Sequence, residues 1–298
     1  MHKWLHVTAV TLLLSAALLV RCDQGATPES TGKLNITVSI VPQKYFVERV
    51  GGEYVDVNVM VLPGASPATY EPKPEQFQDL SDADAYVRIK VPFENAWMDR
   101  IASANPDMLI VDTTEGIERV PMEAHHRHGE KEHEPENPDP HIWLSPELVR
   151  VQSQTIYEAL VELDPVHQDA YEANLDGFIA DIDALEIDIR ETLEGVESRR
   201  FIVFHPAWGY FARDFGLEMI PIEIGGQEPS AAEMAELITE AQRERIKVIF
   251  AQPEFSTRDA ETIASEIGGE VLLISPLAPE WLDNLRNVAD TFAEVFGQ

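Results

Sequence analysis

The sequence predicts an α/β protein made of two doubly wound βα domains that one long helix joins. Three observations lead to this prediction. Strand-like and helix-like segments alternate in the first half of the chain, and the same alternation returns in the second half. A long proline-free helical segment lies between the two halves. Alternation of this kind favours parallel sheets with helices on their faces.

The chain has 298 residues, enough for two domains of roughly 100–150 residues each. We expect, in order, an export segment over 1–22, a flexible tether over 23–33, an N-terminal α/β domain over 34–150 with a histidine-rich loop at 123–138, a helical connection over 151–198 and a C-terminal α/β domain over 199–298.

The first segment has the pattern of an export signal. One early lysine precedes an apolar run from about Val7 to Val20, which is short for a membrane span and suits a signal core. The run ends at Cys22, the only cysteine, so the chain cannot form an internal disulfide. This ending resembles a bacterial lipoprotein signal and predicts lipidation of Cys22. Arg21 departs from that pattern, so cleavage nearby or an uncleaved anchor stays open.

Folded structure is predicted to begin near Leu34. The expected strands of the N-terminal domain are "LNITVSIVP", "YVDVNVMVLPG", "DAYVRI" and "MLIVDTT", and the helices between them are "QKYFVERVGG", "PEQFQDLSDA" and "PFENAWMDRIASA". Two glycines end the first of these helices.

The middle of the chain predicts helices only. "PELVRVQSQTIYEALVELDP" is followed by a single helix from about Val166 to Val196, which contains no proline. Its apolar residues recur three or four positions apart: Leu175, Phe178, Ile179, Ile182, Leu185 and Ile189. At 1.5 Å per residue such a helix reaches about 45 Å, enough to cross from one domain to the other.

The second half predicts the same architecture again. Its expected strands are "RFIVFH", "LEMIPIEI", "KVIFAQP" and "EVLLISPL", and its helices are "AWGYFARDFG", "SAAEMAELITEAQRER", "TRDAETIASEIGG" and "PEWLDNLRNVADTFAEVF". Ser230 is the predicted N-cap of the second helix, since Glu233 follows three residues later in a capping-box pattern.

Charge and motifs exclude several functions. The formal net charge of −31 argues against a nucleic-acid partner, which needs a basic surface. An acidic surface attracts cations, although good solubility explains it equally well. The chain has no HExxH helix, GxSxG elbow or phosphate-binding glycine loop. We therefore do not expect an enzyme, the alternative being a zinc hydrolase that uses His141 and His205.

Two histidines occupy positions that favour a binding site. His205 ends a predicted strand, and ligands of parallel α/β domains bind at the carboxyl ends of strands. His141 lies between the polar "NPDP" and the apolar "IWLSP", at the start of a predicted folded segment. Each alone is more often a capping or packing residue, but the two together indicate a shared site. His167 is expected at the surface.

The loop before His141 is a separate feature. It contains His125, His126, His128 and His133 among glutamates and prolines. Such a segment is too polar to join a core. It is interpreted either as a low-affinity metal collector or as a solvated insertion.

The ordered motifs resemble the zinc- and manganese-binding solute-binding proteins of ABC importers, over nearly the whole mature chain. They are "SIVPQKYFVERVGGEYVDVNVMVLPGASPATYEPKPEQFQDLSDADAYV", "DPHIWLSP", "FHPAWGYFARDFGL", "EPSAAEMAELI", "VIFAQPEFS", "AETIASEIGGEVLLISPL" and "WLDNLRNVADTF". The resemblance implies a metal in the cleft between two rigid domains, with His141 and His205 as ligands.

Two family ligands are missing. Ala68 stands where the family's "PHTYEP" has histidine, and Ser275 where "LDPL" has aspartate. Two histidines alone would hold zinc weakly, because protein zinc sites have three or four protein ligands. Manganese prefers carboxylate oxygen, so the loss of aspartate favours zinc over manganese.

Three sources could supply the missing metal ligands. Water could complete the shell, Glu71 or Glu223 could move in, or a histidine of the loop could fold over the cleft. The alternatives are a different small ligand in the same cleft, or a protein that has lost the site.

The predicted function is that of an exported binding protein that delivers a divalent metal, zinc first, to an ABC permease and its ATPase. The protein is expected in the periplasm or on the outer face of the cytoplasmic membrane, held by a lipid anchor, as a monomer. A surface adhesion or interaction lipoprotein is the other hypothesis.

Overall fold

The computed structural model describes residues 32–122, 138–223, 227 and 229–297. Within these ranges the chain forms two four-stranded sheets, and every strand pair is parallel. Helices connect the strands, so the structure confirms the predicted α/β class. The export segment, Cys22, most of the tether and the four loop histidines lie outside the described residues.

The first sheet has the strand order β2-β1-β3-β4. Its strands are β1 Leu34–Val38, β2 Val55–Val59, β3 Ala85–Arg88 and β4 Leu109–Asp112. Its helices are α1 Val41–Gly51, α2 Pro74–Ser81 and α3 Pro92–Ala104. Each of these helices has a proline in its first two positions, where the missing N–H costs no hydrogen bond and the fixed φ suits a helix.

The second sheet repeats this order as β6-β5-β7-β8. Its strands are β5 Arg200–Val203, β6 Glu218–Pro221, β7 Val248–Ala251 and β8 Glu270–Leu273. Its helices are α6 Gly209–Phe215, α7 Ala231–Arg243, α8 Arg258–Ile267 and α9 Trp281–Phe296. The predicted N-cap of α7 is confirmed, since Ser230 Oγ accepts from the Glu233 N–H at 3.3 Å and Glu233 Oε2 accepts from the Ser230 N–H at 2.8 Å.

Two helices form the connection between the two sheets, and they pack against different parts of the protein. Helix α4, Pro146–Leu163, packs beside the first sheet, and the 25-residue helix α5, Gln168–Thr192, contacts α1 and α4 of the first half and α9 of the second. Helix α5 ends a few residues before the predicted Val196. The chain turns there at Gly195, whose φ of 77° only glycine adopts readily.

Helix α5 buries one face in a core that both sheets share. Its buried residues are Tyr171, Leu175, Phe178, Ile182, Leu185 and Ile189. One continuous cluster of apolar side chains extends from the first sheet through α5 to α9 and β5. A second, smaller cluster lies between the second sheet and helices α7 and α8. The shared cluster fixes the relative position of the two sheets.

His167 differs from its predicted surface position. Its ring stacks on Tyr54 with centroids 4.0 Å apart, and its Nδ1 lies 2.6 Å from Asp164 Oδ2. The Tyr171 hydroxyl donates to the same oxygen at 3.0 Å. This partly buried histidine therefore organises the turn that precedes α5.

Within the described ranges, each helix is too short or too polar to cross a membrane.

Candidate metal centre

A cavity of about 50 Å³ lies where the carboxyl ends of the two sheets face each other. Its walls come from the loops after β2, β3 and β4 on one side and after β5, β7 and β8 on the other. His141 and His205 both line it, and most of the remaining wall is apolar. The volume suffices for an ion with one or two waters, since one water needs about 10–15 Å³.

His141 is held by the aspartate two residues before it. Asp139 Oδ1 lies 2.6 Å from His141 Nδ1 and also accepts the backbone N–H of His141 at 2.9 Å. Both residues are buried, with 1% of Asp139 and 7% of His141 exposed. Because a carboxylate accepts hydrogen bonds, the Nδ1 of His141 carries the proton and its Nε2 presents a lone pair.

His205 has the same arrangement with a different partner. Its Nδ1 lies 2.7 Å from Glu223 Oε2. Its backbone is held by Gln252, which accepts the His205 N–H at 3.2 Å and donates to the His205 carbonyl at 2.8 Å. The ring of Phe255 stacks on the imidazole with centroids 4.7 Å apart.

Burial favours the neutral form of the His205 imidazole. It lowers the pKa of His205 below the usual 6.5, the hydrogen bond to Glu223 opposes this, and the neighbouring His141 lowers the pKa further. A neutral imidazole is the form that binds a metal ion.

The two Nε2 atoms lie 3.3 Å apart. Two nitrogens bound to one tetrahedral zinc at about 2.0–2.1 Å are separated by about 3.3–3.4 Å, so the observed spacing matches a shared ion. With both Nδ1 atoms donating to carboxylates, two lone pairs face each other across this gap. A proton or a metal ion between or beside them removes that repulsion.

The positions that lack a family ligand differ in where they lie. Ala68 lines the cavity and offers only a methyl group. Ser275 is not part of the cavity wall; its hydroxyl donates to Glu254 Oε1 at 3.2 Å. This differs from the prediction that both positions line one pocket: Ala68 lies in the cavity wall, whereas Ser275 lies outside it, next to Glu254.

The residues considered as additional metal ligands also lie in different places. Glu223 lies behind His205 and orients it, and Glu71 is exposed and outside the cavity wall. His125, His126, His128 and His133 fall outside the described residues. Among the residues that the structure does describe, no three of His, Cys, Asp or Glu are already close enough to hold an ion together.

Sequence reasoning missed three residues of this site. Asp139 was visible in "DPH", two positions before the histidine that it orients. Glu254 and Phe255 follow β7 and line the cavity, so the strand-end argument that found His205 would also have found them. Burial raises the pKa of Glu254.

The fold and the facing histidines define the class: a two-domain solute-binding protein with its ligand between two α/β sheets. The family described as "Zinc-uptake complex component A periplasmic" matches residues 36–295, and the chain belongs to this family. The resemblance inferred from the motifs is thereby confirmed. Members of this family are binding components of transport systems and not enzymes.

Among curated relatives, the high-affinity zinc uptake system protein ZnuA of Bacillus subtilis is 32% identical over 293 residues, covering 92% of this chain and 89% of that protein. The zinc-binding lipoprotein AdcA of Streptococcus pneumoniae is 29% identical over 284 residues, covering 90% of this chain. The match covers 55% of AdcA, so this chain spans about half of that relative's length.

Solved structures agree. A crystal structure of ZnuA has a TM-score of 0.83 and 45% identity, covering 88% of this chain and 99% of that chain. A ZnuA deletion mutant with zinc bound has the same TM-score and 44% identity, covering 89% and 99%. A laminin-binding protein of Streptococcus agalactiae has a TM-score of 0.77 at 24% identity, covering 89% and 99%, a likeness that concerns the fold alone.

Proposed function

We propose that this protein captures a zinc ion outside the cytoplasm and delivers it to the permease and ATPase of an ABC importer. The observation that supports it most is the pair of Nε2 atoms 3.3 Å apart, each on an imidazole whose Nδ1 is held by a buried carboxylate. This is the arrangement in which carboxylates orient zinc-binding histidines. The names of the zinc-binding relatives agree with it.

Zinc is favoured over manganese by the donor atoms. Two neutral imidazoles suit zinc, copper or nickel, whereas manganese prefers oxygen ligands. Ala68 and Ser275 supply neither the third histidine nor the aspartate. We infer that manganese binds this cleft much more weakly than zinc.

Zinc titration tests the function directly. The exported chain without an affinity tag is expected to bind one zinc ion in the cleft, measured by competition with a chromophoric chelator and by mass spectrometry of metal content. His141→Ala and His205→Ala are each expected to weaken this binding at least about 100-fold, because one imidazole remains.

His167→Ala is the matched control. His167 is also bonded to a carboxylate but lies outside the cavity wall, so this variant keeps the affinity of the parent even if it is less stable. A parent protein that takes up no zinc would leave a different ligand, or a lost site, as the correct alternative.

We infer further that the leader exports the chain, that Cys22 carries the lipid anchor and that the protein acts as a monomer. The apolar run that ends at Cys22 supports export and lipidation. Cys22→Ser should move the protein from the membrane fraction to the soluble extracytoplasmic fraction. If it stays in the membrane fraction, the anchor is an uncleaved leader.

A further inference from the structure

Glu254 lies in the loop after β7, in the wall of the cavity that holds the two histidines. Its neighbour Phe255 stacks on the His205 ring, so the backbone at this point is fixed relative to the imidazole. The proposed metal site, which rests on His141 and His205, does not include this carboxylate.

The hydrogen bonds of Glu254 are incomplete. Oε1 accepts from the Ser275 hydroxyl at 3.2 Å, whereas Oε2 is buried and has no hydrogen-bond partner in the described part of the chain. Within those residues Glu254 also forms no ion pair with a lysine, arginine or histidine. A buried carboxylate oxygen without a donor or a cation is unfavourable, and a metal ion in the adjoining cavity would remove that penalty.

Ser275 connects Glu254 to the missing family ligand. Ser275 follows β8, at the position where the resemblance implies a ligating aspartate. The N–H of Leu277 donates to Ser275 Oγ at 3.2 Å, which leaves the hydroxyl proton free to point at Glu254. Strands β7 and β8 are paired, with Ala251 opposite Leu273, so both loops open at the same edge of the sheet.

We propose that Glu254 is the third protein ligand of the metal, a carboxylate that has moved from the end of β8 to the end of the neighbouring β7. This inference rests on the proposed function. Glu254 reaches the ion by rotating its side chain toward the imidazoles, because His141, His205 and Glu254 are not yet within the distances of one ion. Ser275 holds the carboxylate beside the cavity until the ion arrives.

The test is the zinc affinity of Glu254→Gln. Glutamine has the same size and accepts the Ser275 hydrogen bond, but its neutral amide is a poor zinc ligand. We expect the affinity of the cleft to fall about 10- to 100-fold, as loss of one carboxylate ligand implies. Glu270→Gln is the matched control, since Glu270 is exposed at the amino end of β8 and outside the cavity wall, and it should bind zinc like the parent.

Zinc X-ray absorption of the parent gives a second readout that needs no variant. We expect two imidazoles and a carboxylate oxygen in the zinc shell, and loss of the carboxylate contribution in Glu254→Gln. Thermal melts of the metal-free proteins show whether Glu254→Gln has folded. A variant that fails to fold leaves the parent's spectrum as the deciding measurement, and a shell without carboxylate oxygen overturns the proposal.

The outcomes separate this inference from the function on which it rests. Zinc binding that depends on His141 and His205 but is unchanged in Glu254→Gln overturns the role of Glu254 and leaves the proposed function intact. Absence of zinc binding in the parent overturns both. The same comparison is made in a protein from which residues 125–133 are deleted. If Glu254→Gln still lowers the zinc affinity of that protein, the role of Glu254 as a ligand is supported. If the deletion abolishes the effect of Glu254→Gln on zinc affinity, the role of Glu254 is overturned in favour of a loop histidine.

Discussion

The indole N–H of Trp281 donates to the backbone carbonyl of Trp143, with 2.6 Å between donor and acceptor. The indole of Trp143 in turn donates to the carbonyl of Pro276 at 2.7 Å. Trp143 follows His141 in the first half of the chain, and Trp281 begins the last helix. Trp281 also contacts Phe46 of α1 edge to face, with centroids 5.2 Å apart. These contacts attach the segment that carries His141 to the second half of the molecule.

Trp281→Phe should lower the free energy of unfolding by about 1–3 kcal/mol, because the buried carbonyl of Trp143 loses its donor and the smaller ring leaves space. Chemical denaturation of the metal-free protein measures this. Trp97→Phe is the control, since Trp97 is only partly buried and packs against Phe77 and Arg100 near the surface. Equal losses in the two variants would contradict the importance of the Trp143 contact.

Asp139→Asn should weaken zinc binding about 10- to 100-fold without removing a ligand. The carboxylate keeps the Nε2 of His141 directed at the cavity, and loss of such a partner has an effect of this size in zinc proteins. Chelator competition gives the affinity. Asp164→Asn makes the same change beside His167 and should alter stability only, so a similar loss of zinc binding there would argue against an orienting role for Asp139.

Ala68→His should strengthen zinc binding by at least about tenfold, because Ala68 lines the cavity and a third imidazole adds a bond in a site that is already ordered.

Ser275→Asp should behave differently from Ala68→His. It places a second carboxylate beside Glu254, so the metal-free protein loses stability at neutral pH and regains it with zinc. Thermal melts with and without zinc distinguish the two variants. The double variant should bind more tightly than either single one.

The lowered pKa of His205 predicts how the stability of the metal-free protein depends on pH. Between that pKa and 6.5 the unfolded chain binds more protons at this histidine than the folded chain does. The contribution of His205 is therefore complete above pH 6.5 and is lost as the pH falls through the folded pKa. The free energies of unfolding of the parent and of His205→Gln, measured by chemical denaturation at a series of pH values, should converge toward acid pH over this window. A constant difference between the two proteins would show that burial does not shift the protonation equilibrium of His205.

Much of the fold was predictable because it depends on local pattern. Alternating strands and helices gave the two sheets, the Ser230–Glu233 spacing gave the start of α7, and the end of a strand placed His205. The shared core was not predictable, since an apolar stripe on α5 does not identify the side chains that it meets. The position of Glu254 after a predicted strand was visible in the sequence, but its burial and its contact with Ser275 were not, because they depend on the pairing of β7 with β8.

The shared core of α5 also bears on how bound metal leaves the protein. Parting the two sheets as a hinge would expose the apolar face of α5 to water and separate Trp281 from Phe46, at a free-energy cost that grows with the area exposed. A smaller displacement of the loops that carry His205 and Glu254 frees the ion without touching that core. If the proposed function is correct, a permease that receives the ion is therefore expected to displace those loops and to leave the shared core packed.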